Sequence, residues 1–261
     1  METLAKVSDI HYRIFGRGGP KLVLLHGGLQ SSANLTRLAA LMATDFEVYV
    51  PDRRGRGGSG PAGGDHGLRT EIDDLATLLD ETGAANVFGL SSGAVVGLNA
   101  ALELPAIQRL ALYEPPLGHD PGTWRPRYEK ELAAGRTAAA FVTTAKGTGD
   151  LRLAPRAVLT PLIALYLRGN PEVRELVPTM RQDATLVAQT AGPLDRFAKV
   201  TAETLLLGGS RSPAYLRKVL NGLEPVLPHV RRVTLDGVGH LVADNTGKPE
   251  RVATELRKFF G

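Results

Sequence analysis

Apolar residues along the chain fall into two alternating patterns. Short continuous runs at Lys21–Leu25 (KLVLL), Phe46–Val50 (FEVYV), Asn86–Leu90 (NVFGL), Ile107–Tyr113 (IQRLALY) and Thr204–Leu207 (TLLL) have the length of buried strands. Arg231–Leu235 (RRVTL) adds another, and Val7–Phe15 supplies one or two short strands closed by the Gly16-Arg17-Gly18-Gly19-Pro20 turn. Between the runs the period lengthens. Arg69–Thr82 puts Ile72, Leu75, Leu78 and Leu79 on one helical face, and Lys248–Phe260 does the same with Val252, Leu256, Phe259 and Phe260. Ser31 and Ser32 are N-cap candidates for a helix through LTRLAALMA, and Ser92–Leu104 reads as a helix directly after a strand. Strands alternating with helices predict an α/β fold, a mostly parallel sheet flanked by helices.

From about Pro115 to Val200 the alternation stops. Helices near 126–145, 155–168, 171–190 and 193–199 are separated by Pro and Gly, and strand signals resume at Thr204. The expected organisation is a core of residues 1–114 and 201–261 interrupted by a helical insertion, residues 115–200. The insertion begins just after the strand ending near Glu114. There is no internal repeat and no low-complexity tract.

Composition narrows the chemistry. At 261 residues with 43% apolar positions, the chain suits one large α/β domain carrying a subdomain. It has no Cys, which excludes a disulfide scaffold, a thiolate metal site and a Cys nucleophile. The net charge of +4 is distributed rather than blocked, so no nucleic-acid partner is expected. The N-terminal stretch lacks the apolar core of a signal peptide, and no apolar run approaches the roughly 18–20 residues of a membrane span. A soluble, cytoplasmic protein without a membrane partner is expected. No acidic or His cluster has metal-ligand spacing, so neither a metal nor a cofactor is expected. Gly55–Gly60 (GRGGSG) matches a dinucleotide-binding fingerprint, but the PAGGDHG that follows cannot open the helix such a site needs. Oligomeric state is not readable.

One pentapeptide dominates the rest. Gly89-Leu90-Ser91-Ser92-Gly93 is the chain's single G-x-S-x-G match and lies between a predicted strand and a predicted helix. A nucleophile on such a sharp turn needs small flanking residues, and the following helix directs its positive end at the site. Leu24-Leu25-His26-Gly27-Gly28 ends an earlier strand, where the Gly28 N–H, with that of Ser92, would complete an oxyanion hole. His26 is better suited to pinning that loop than to proton transfer, and Asp52 to fixing the glycine-rich connection nearby. Of six histidines, His240 is the candidate base. It follows the last strand in Asp236-Gly237-Val238-Gly239-His240, within reach of Ser91 across the top of the sheet.

The order HGG…DRRGRGGS…GLSSG…LLLGG…GH resembles the α/β-hydrolase fold superfamily from about residue 10 to the C-terminus. The resemblance implies Ser91 as nucleophile, His240 as base, Gly28 and Ser92 as the oxyanion hole, and residues 115–200 as a cap over the pocket. The usual acid, an Asp after the strand ending in Leu205-Leu206-Leu207, is missing; Ser212 falls about there. A smaller set of relatives, haloalkane dehalogenases among them, carries the acid after the preceding strand, a position held here by Glu114. Pro115 predicts an extended backbone at Glu114. Asp195, Asp236, Asp244 or no acid at all are the alternatives. In the insertion, Trp124, Tyr128, Phe141, Leu162, Tyr166 and Met180 can line a pocket or form a local core, with core favoured for most. Arg125, Arg127, Arg152, Arg156 and Arg168 read as separate surface charges. The expected function is a serine hydrolase acting on a small-molecule carboxylic ester, lactone or thioester through an acyl-enzyme. The alternatives are a perhydrolase or haloperoxidase-like enzyme and a non-catalytic receptor on the same fold.

Overall fold

A computed structural model describes residues 2–149 and 154–261. Eight strands form one sheet: β1 (Glu2–Val7), β2 (Ile10–Phe15), β3 (Lys21–Leu25), β4 (Glu47–Pro51), β5 (Asn86–Leu90), β6 (Arg109–Tyr113), β7 (Glu203–Gly209) and β8 (Val230–Leu235). Their spatial order is β1-β2-β4-β3-β5-β6-β7-β8. The β1–β2 and β2–β4 pairs are antiparallel, and all others are parallel. Alternate residues of each central strand enter opposite layers: Leu22 and Leu24 pack with one apolar cluster, Val23 and Leu25 with the other. Burying each such side chain contributes about 1.5–3 kcal/mol, which accounts for continuous apolar runs where a one-faced sheet would alternate.

Helices α1 (Thr36–Met42) and α10 (Pro249–Phe260) cover one face of the sheet; α2 (Leu68–Thr82) and α3 (Ser92–Ala100) cover the other. Ser31 and Asn34 form a capping box on the 3-10 turn that leads into α1, and Gly83 closes α2 in the left-handed conformation. Helix α9 (Ala214–Leu223) occupies a stretch where the sequence reading placed no element; it buries Leu216, Leu220 and Leu223.

Between β6 and β7 the regular elements among the described residues are all helical: α4 (Arg125–Ala133), α5 (Thr137–Gly147), α6 (Arg156–Gly169), α7 (Pro171–Leu176) and α8 (Met180–Gln189), with 3-10 turns before, between and after them. The single helix expected over 126–145 is two, because Gly135 at φ +68° reverses the chain after α4. Trp124, Tyr128, Ala140, Leu167, Val177, Met180 and Ala184 give this segment an apolar cluster of its own. None of the described helices is long and apolar enough to cross a membrane.

Candidate active site

The parallel strands end in one row. Leu90 of β5 is in register with Tyr113 of β6, which is in register with Leu207 of β7. The next residue on each strand is therefore Ser91, Glu114 and Gly208. Ser91 adopts φ 54°, ψ −119°, and its N–H bonds Tyr113 O at 2.9 Å. A non-glycine residue holds so sparsely populated a conformation only when its surroundings fix it. The flanking glycines do so here. A Cβ at Gly89 would lie 2.5 Å from the backbone of Ala94, and one at Gly93 would lie 2.5 Å from the Leu25 and His26 carbonyl oxygens.

His240, Ser91 and Glu114 converge. His240 Nε2 is 3.0 Å from Ser91 Oγ, and its Nδ1 is 2.7 Å from Glu114 Oε2. Tyr113 Oη donates to Gly239 O at 2.9 Å and holds the turn that carries His240. Glu114 is fully buried, and its second oxygen accepts the Gly209 N–H at 2.7 Å. The carboxylate thus crosses from β6 into space that β7 leaves open, since a Cβ at Gly208 would sit 3.2 Å from Glu114 Oε1. The extended backbone expected before Pro115 is not found: Glu114 has φ 49°. Its N–H to Leu207 O bond (3.2 Å) and its two carboxylate bonds override the local preference. The alternative acids are engaged elsewhere or exposed. Asp236 accepts from Ser210, Asp244 accepts from Gln30, Asn34 and Thr246, and Asp195 lies on the surface. Ser212 is buried and makes no bond to His240.

Gly28 and Ser92 both line the cavity beside Ser91, and among the described residues the Gly28 N–H has no acceptor. As the first residue of α3, Ser92 has an N–H with no intrahelical acceptor. Gln30 ties this loop to the one carrying His240: its Oε1 accepts the Gly27 N–H at 2.8 Å, and its Nε2 donates to Asp244 at 2.8 Å. His26 is buried beneath. Its Nε2 accepts the Arg53 N–H at 3.2 Å and its Nδ1 bonds Gly27 O at 2.9 Å, the arrangement of a neutral loop-pinning ring. Burial first, then the Arg56 and Arg53 charges, push its pKa down to about 3. Asp52 accepts from the backbone N–H of Ser32 and of Gly58, clamping the glycine-rich connection as expected.

A buried charge cluster went undetected in the sequence. Arg53 pairs with Glu71 at 2.8 Å and with Asp183 of α8 at 3.1 Å, and it donates to Ser92 Oγ at 3.0 Å. Arg56 pairs with the other oxygen of Asp183 at 2.7 Å. Burial alone would raise Asp183, but the Arg56 and Arg53 charges outweigh it and hold the carboxyl below its ordinary range. Glu71 is held down in the same way, against its burial, mainly by Arg53.

The triad-like group opens on a cavity of about 390 Å³. Trp124, Phe141, Tyr166 and Met180 line it, whereas Tyr128 belongs to the local core and Leu162 is exposed. None of its described lining residues is Lys or Arg. Arg127 and Arg156 pair with Glu131, Arg125 pairs with Glu129, Arg168 is exposed, and Arg152 lies outside the described residues.

A parallel sheet with a serine on a strained strand-to-helix turn, and a histidine after the last strand, is the architecture of an α/β hydrolase. The chain belongs to the alpha/beta hydrolase family, which it matches over residues 22–255. It is similar to an alpha/beta hydrolase from Sphaerobacter thermophilus of known structure, with 32% identity, TM-score 0.83, and coverage of 99% of this chain and 100% of that one. A pimeloyl-[acyl-carrier protein] methyl ester esterase of Xanthomonas campestris is 25% identical over 268 residues, 96% of this chain and 98% of the relative. The enol-lactonase of Burkholderia xenovorans shares the fold at TM-score 0.69 and 22% identity, over 99% of both chains.

Proposed function

We propose that the protein is a serine hydrolase of small to medium carboxylic esters, lactones or thioesters. The observation that carries this reading is the continuous relay from Ser91 Oγ through His240 to Glu114, at 3.0 and 2.7 Å, beside an apolar cavity. The esterase activity named for the Xanthomonas relative supports it.

In the proposed mechanism, Ser91 Oγ attacks the substrate carbonyl as His240 Nε2 takes its proton. The oxyanion of the tetrahedral intermediate is held by the backbone N–H groups of Gly28 and Ser92. His240 returns the proton to the departing alcohol or thiol, leaving an acyl-Ser91 ester. Water then enters and attacks the acyl carbon as His240 removes its proton; the bond to Ser91 Oγ breaks, His240 returns that proton to Oγ, and the acid product leaves. Glu114 fixes the tautomer and stabilises the imidazolium. Residues 115–200 act as the cap that closes the acyl pocket from above. A hydrogen-bonded nucleophile, base and acid favour this enzyme over a receptor retaining only the fold, since a receptor has no need of the strain held at Ser91 and Glu114.

The test is labelling by a fluorophosphonate probe, together with hydrolysis of p-nitrophenyl esters of graded chain length. The expected result is label on Ser91, with label and hydrolysis both lost in Ser91→Ala. Folded wild-type protein that neither labels nor hydrolyses any ester would sink the reading.

A further inference from the structure

The two backbone donors assigned to the oxyanion share one buried side chain behind them. Arg53 lies under the junction of the Gly27-Gly28 loop and α3, with 2% of its side chain exposed. Its Nη1 donates to Ser92 Oγ at 3.0 Å and to His26 O at 3.4 Å, and its backbone N–H donates to His26 Nε2 at 3.2 Å. One nitrogen therefore touches both the residue that opens α3 and the residue that precedes Gly27. Glu71 fixes the plane of the guanidinium from the far side, accepting Nε at 2.9 Å and Nη2 at 2.8 Å.

The third acceptor of Nη1 comes from the insertion. Asp183 Oδ1 accepts it at 3.1 Å, and Asp183 Oδ2 accepts Arg56 Nη2 at 2.7 Å. Arg56 Nε also donates to Thr179 Oγ1 at 3.2 Å, so the two guanidinium groups together hold the start of α8. That turn rests on the loop. A Cβ at Gly28 would lie 3.0 Å from Met180 Sδ and 3.2 Å from Asp183 Oδ2, so Gly28 admits the helix by lacking one.

A buried charge cluster contributes little net stability over apolar side chains of equal size, because desolvation offsets the attraction. What it supplies is direction. A guanidinium held in one plane dictates where its acceptors lie, and two of these acceptors belong to the segments that carry the Gly28 and Ser92 N–H groups. Donors to a developing oxyanion act only when placed to within about 0.5 Å.

We propose that Arg53 is a positioning residue for the oxyanion hole and that Asp183 makes its placement depend on α8, so that the Gly28 and Ser92 N–H groups converge only while the insertion is seated on the sheet domain. The inference rests on the hydrolase reading above and describes how that same site is regulated.

The test separates donor placement from cavity shape. A trifluoromethyl ketone captures Ser91 as a hemiketal: Oγ bonds the carbonyl carbon, its proton passes to His240 Nε2, and the carbonyl oxygen becomes an oxyanion in the hole. The methyl ketone of the same length fills the cavity without adding, so the ratio of the two inhibition constants reads the hole. Ser92→Ala keeps the N–H and removes only the oxygen that Arg53 holds. It is expected to lower kcat and the ketone ratio about tenfold with KM within about twofold, less than the 10²–10³ that follows outright loss of a donor. Arg53→Lys keeps the charge without the fork and should cost as much, and the double variant should lose no more than about twofold beyond the worse single one, since both break one contact. Asp183→Asn, assayed below its own melting temperature, should lower the ratio as well; Thr179→Val, which loosens the same turn, replaces it if it does not fold. A wild-type ratio in Ser92→Ala, equal weakening of both ketones, or additive losses in the double variant would overturn the positioning role. If Arg53→Lys does not fold, the Ser92→Ala ratio alone decides. A ratio unchanged when α8 is loosened would overturn its dependence on the insertion. Wild-type protein that cleaves no ester and binds both ketones equally fails one step earlier, and the hydrolase reading falls with the positioning role.

Discussion

Glu114 carries two costs in the folded chain, a left-handed backbone and a carboxylate with no access to solvent. The backbone alone costs about 1–3 kcal/mol. Both are offset at the same place, because each carboxylate oxygen has one donor, His240 on one side and the Gly209 N–H on the other. A glutamine has a single acceptor oxygen and cannot serve both. Glu114→Gln is therefore expected to fold, to keep Ser91, and to lose about 10³–10⁴-fold in kcat, as when an orienting carboxylate is neutralised in a serine triad. Steady-state kinetics on a p-nitrophenyl ester check this; a near-wild-type kcat would remove Glu114 from the relay. The serine was legible from five residues, since a G-x-S-x-G turn leaves little alternative geometry. His240 was legible from its place after the last strand. Glu114 was legible only because Ser212 stands where a carboxylate is usual, and its positive φ was not, because the residue before a proline normally avoids it.

At the level of elements, helix α8 is tied to the sheet domain by charge as well as by packing. Asp183 bonds both Arg53 and Arg56, 130 and 127 positions away in sequence. No local pattern announces such a pairing: a lone Asp in an amphipathic helix reads as solvated. Removing its charge leaves two guanidinium groups buried with Glu71 as their remaining anion. Asp183→Asn is expected to destabilise the fold by about 3–5 kcal/mol, the cost of breaking a buried pair, and to expose 115–200 to limited proteolysis first. Thermal melting and the mapping of early cleavage sites measure both effects, and an unchanged melting temperature would contradict them. Helix α9 is a different kind of omission. Its Leu216, Leu220 and Leu223 stripe has plain helical spacing, so the signal was in the sequence, and the glycine- and proline-rich stretch before it obscured the start. The break at Gly135 was hidden for the opposite reason, because apolar periodicity continues on both sides of it.

For the molecule as a whole, the buried cluster beneath the Gly27-Gly28 loop sets a response to acid. His26 is held neutral with its pKa pushed down to about 3 from an ordinary 6.5, so the unfolded chain takes up a proton first as pH falls. Stability then drops by about 1.4 kcal/mol for each pH unit across that window. Glu71 and Asp183, whose pKa values are depressed when folded, contribute stability that is fully present above the ordinary carboxylate range and is lost as pH falls through their folded values. Both effects point the same way, so the melting temperature is expected to decline steadily below about pH 6.5. His26→Asn should flatten the upper part of that decline, and a parallel decline in the variant would show that His26 is not its source. The sheet itself was the most legible feature of the chain, because strands covered on both faces must be continuously apolar, and β3 and β5 show this over every residue after Lys21 and Asn86.

The common row formed by Ser91, Glu114 and Gly208 has a consequence for biosynthesis and quality control. All three are the first residues past rungs that β5, β6 and β7 share, so a slip of one residue at either pairing would pull serine and carboxylate out of line. The meeting of Ser91 with Glu114 through His240 is in this sense a checksum on strand alignment. A misthreaded chain can be compact and folded by circular dichroism yet lack the Ser91–His240–Glu114 contacts, and their appearance during refolding times the moment at which the three central strands lock.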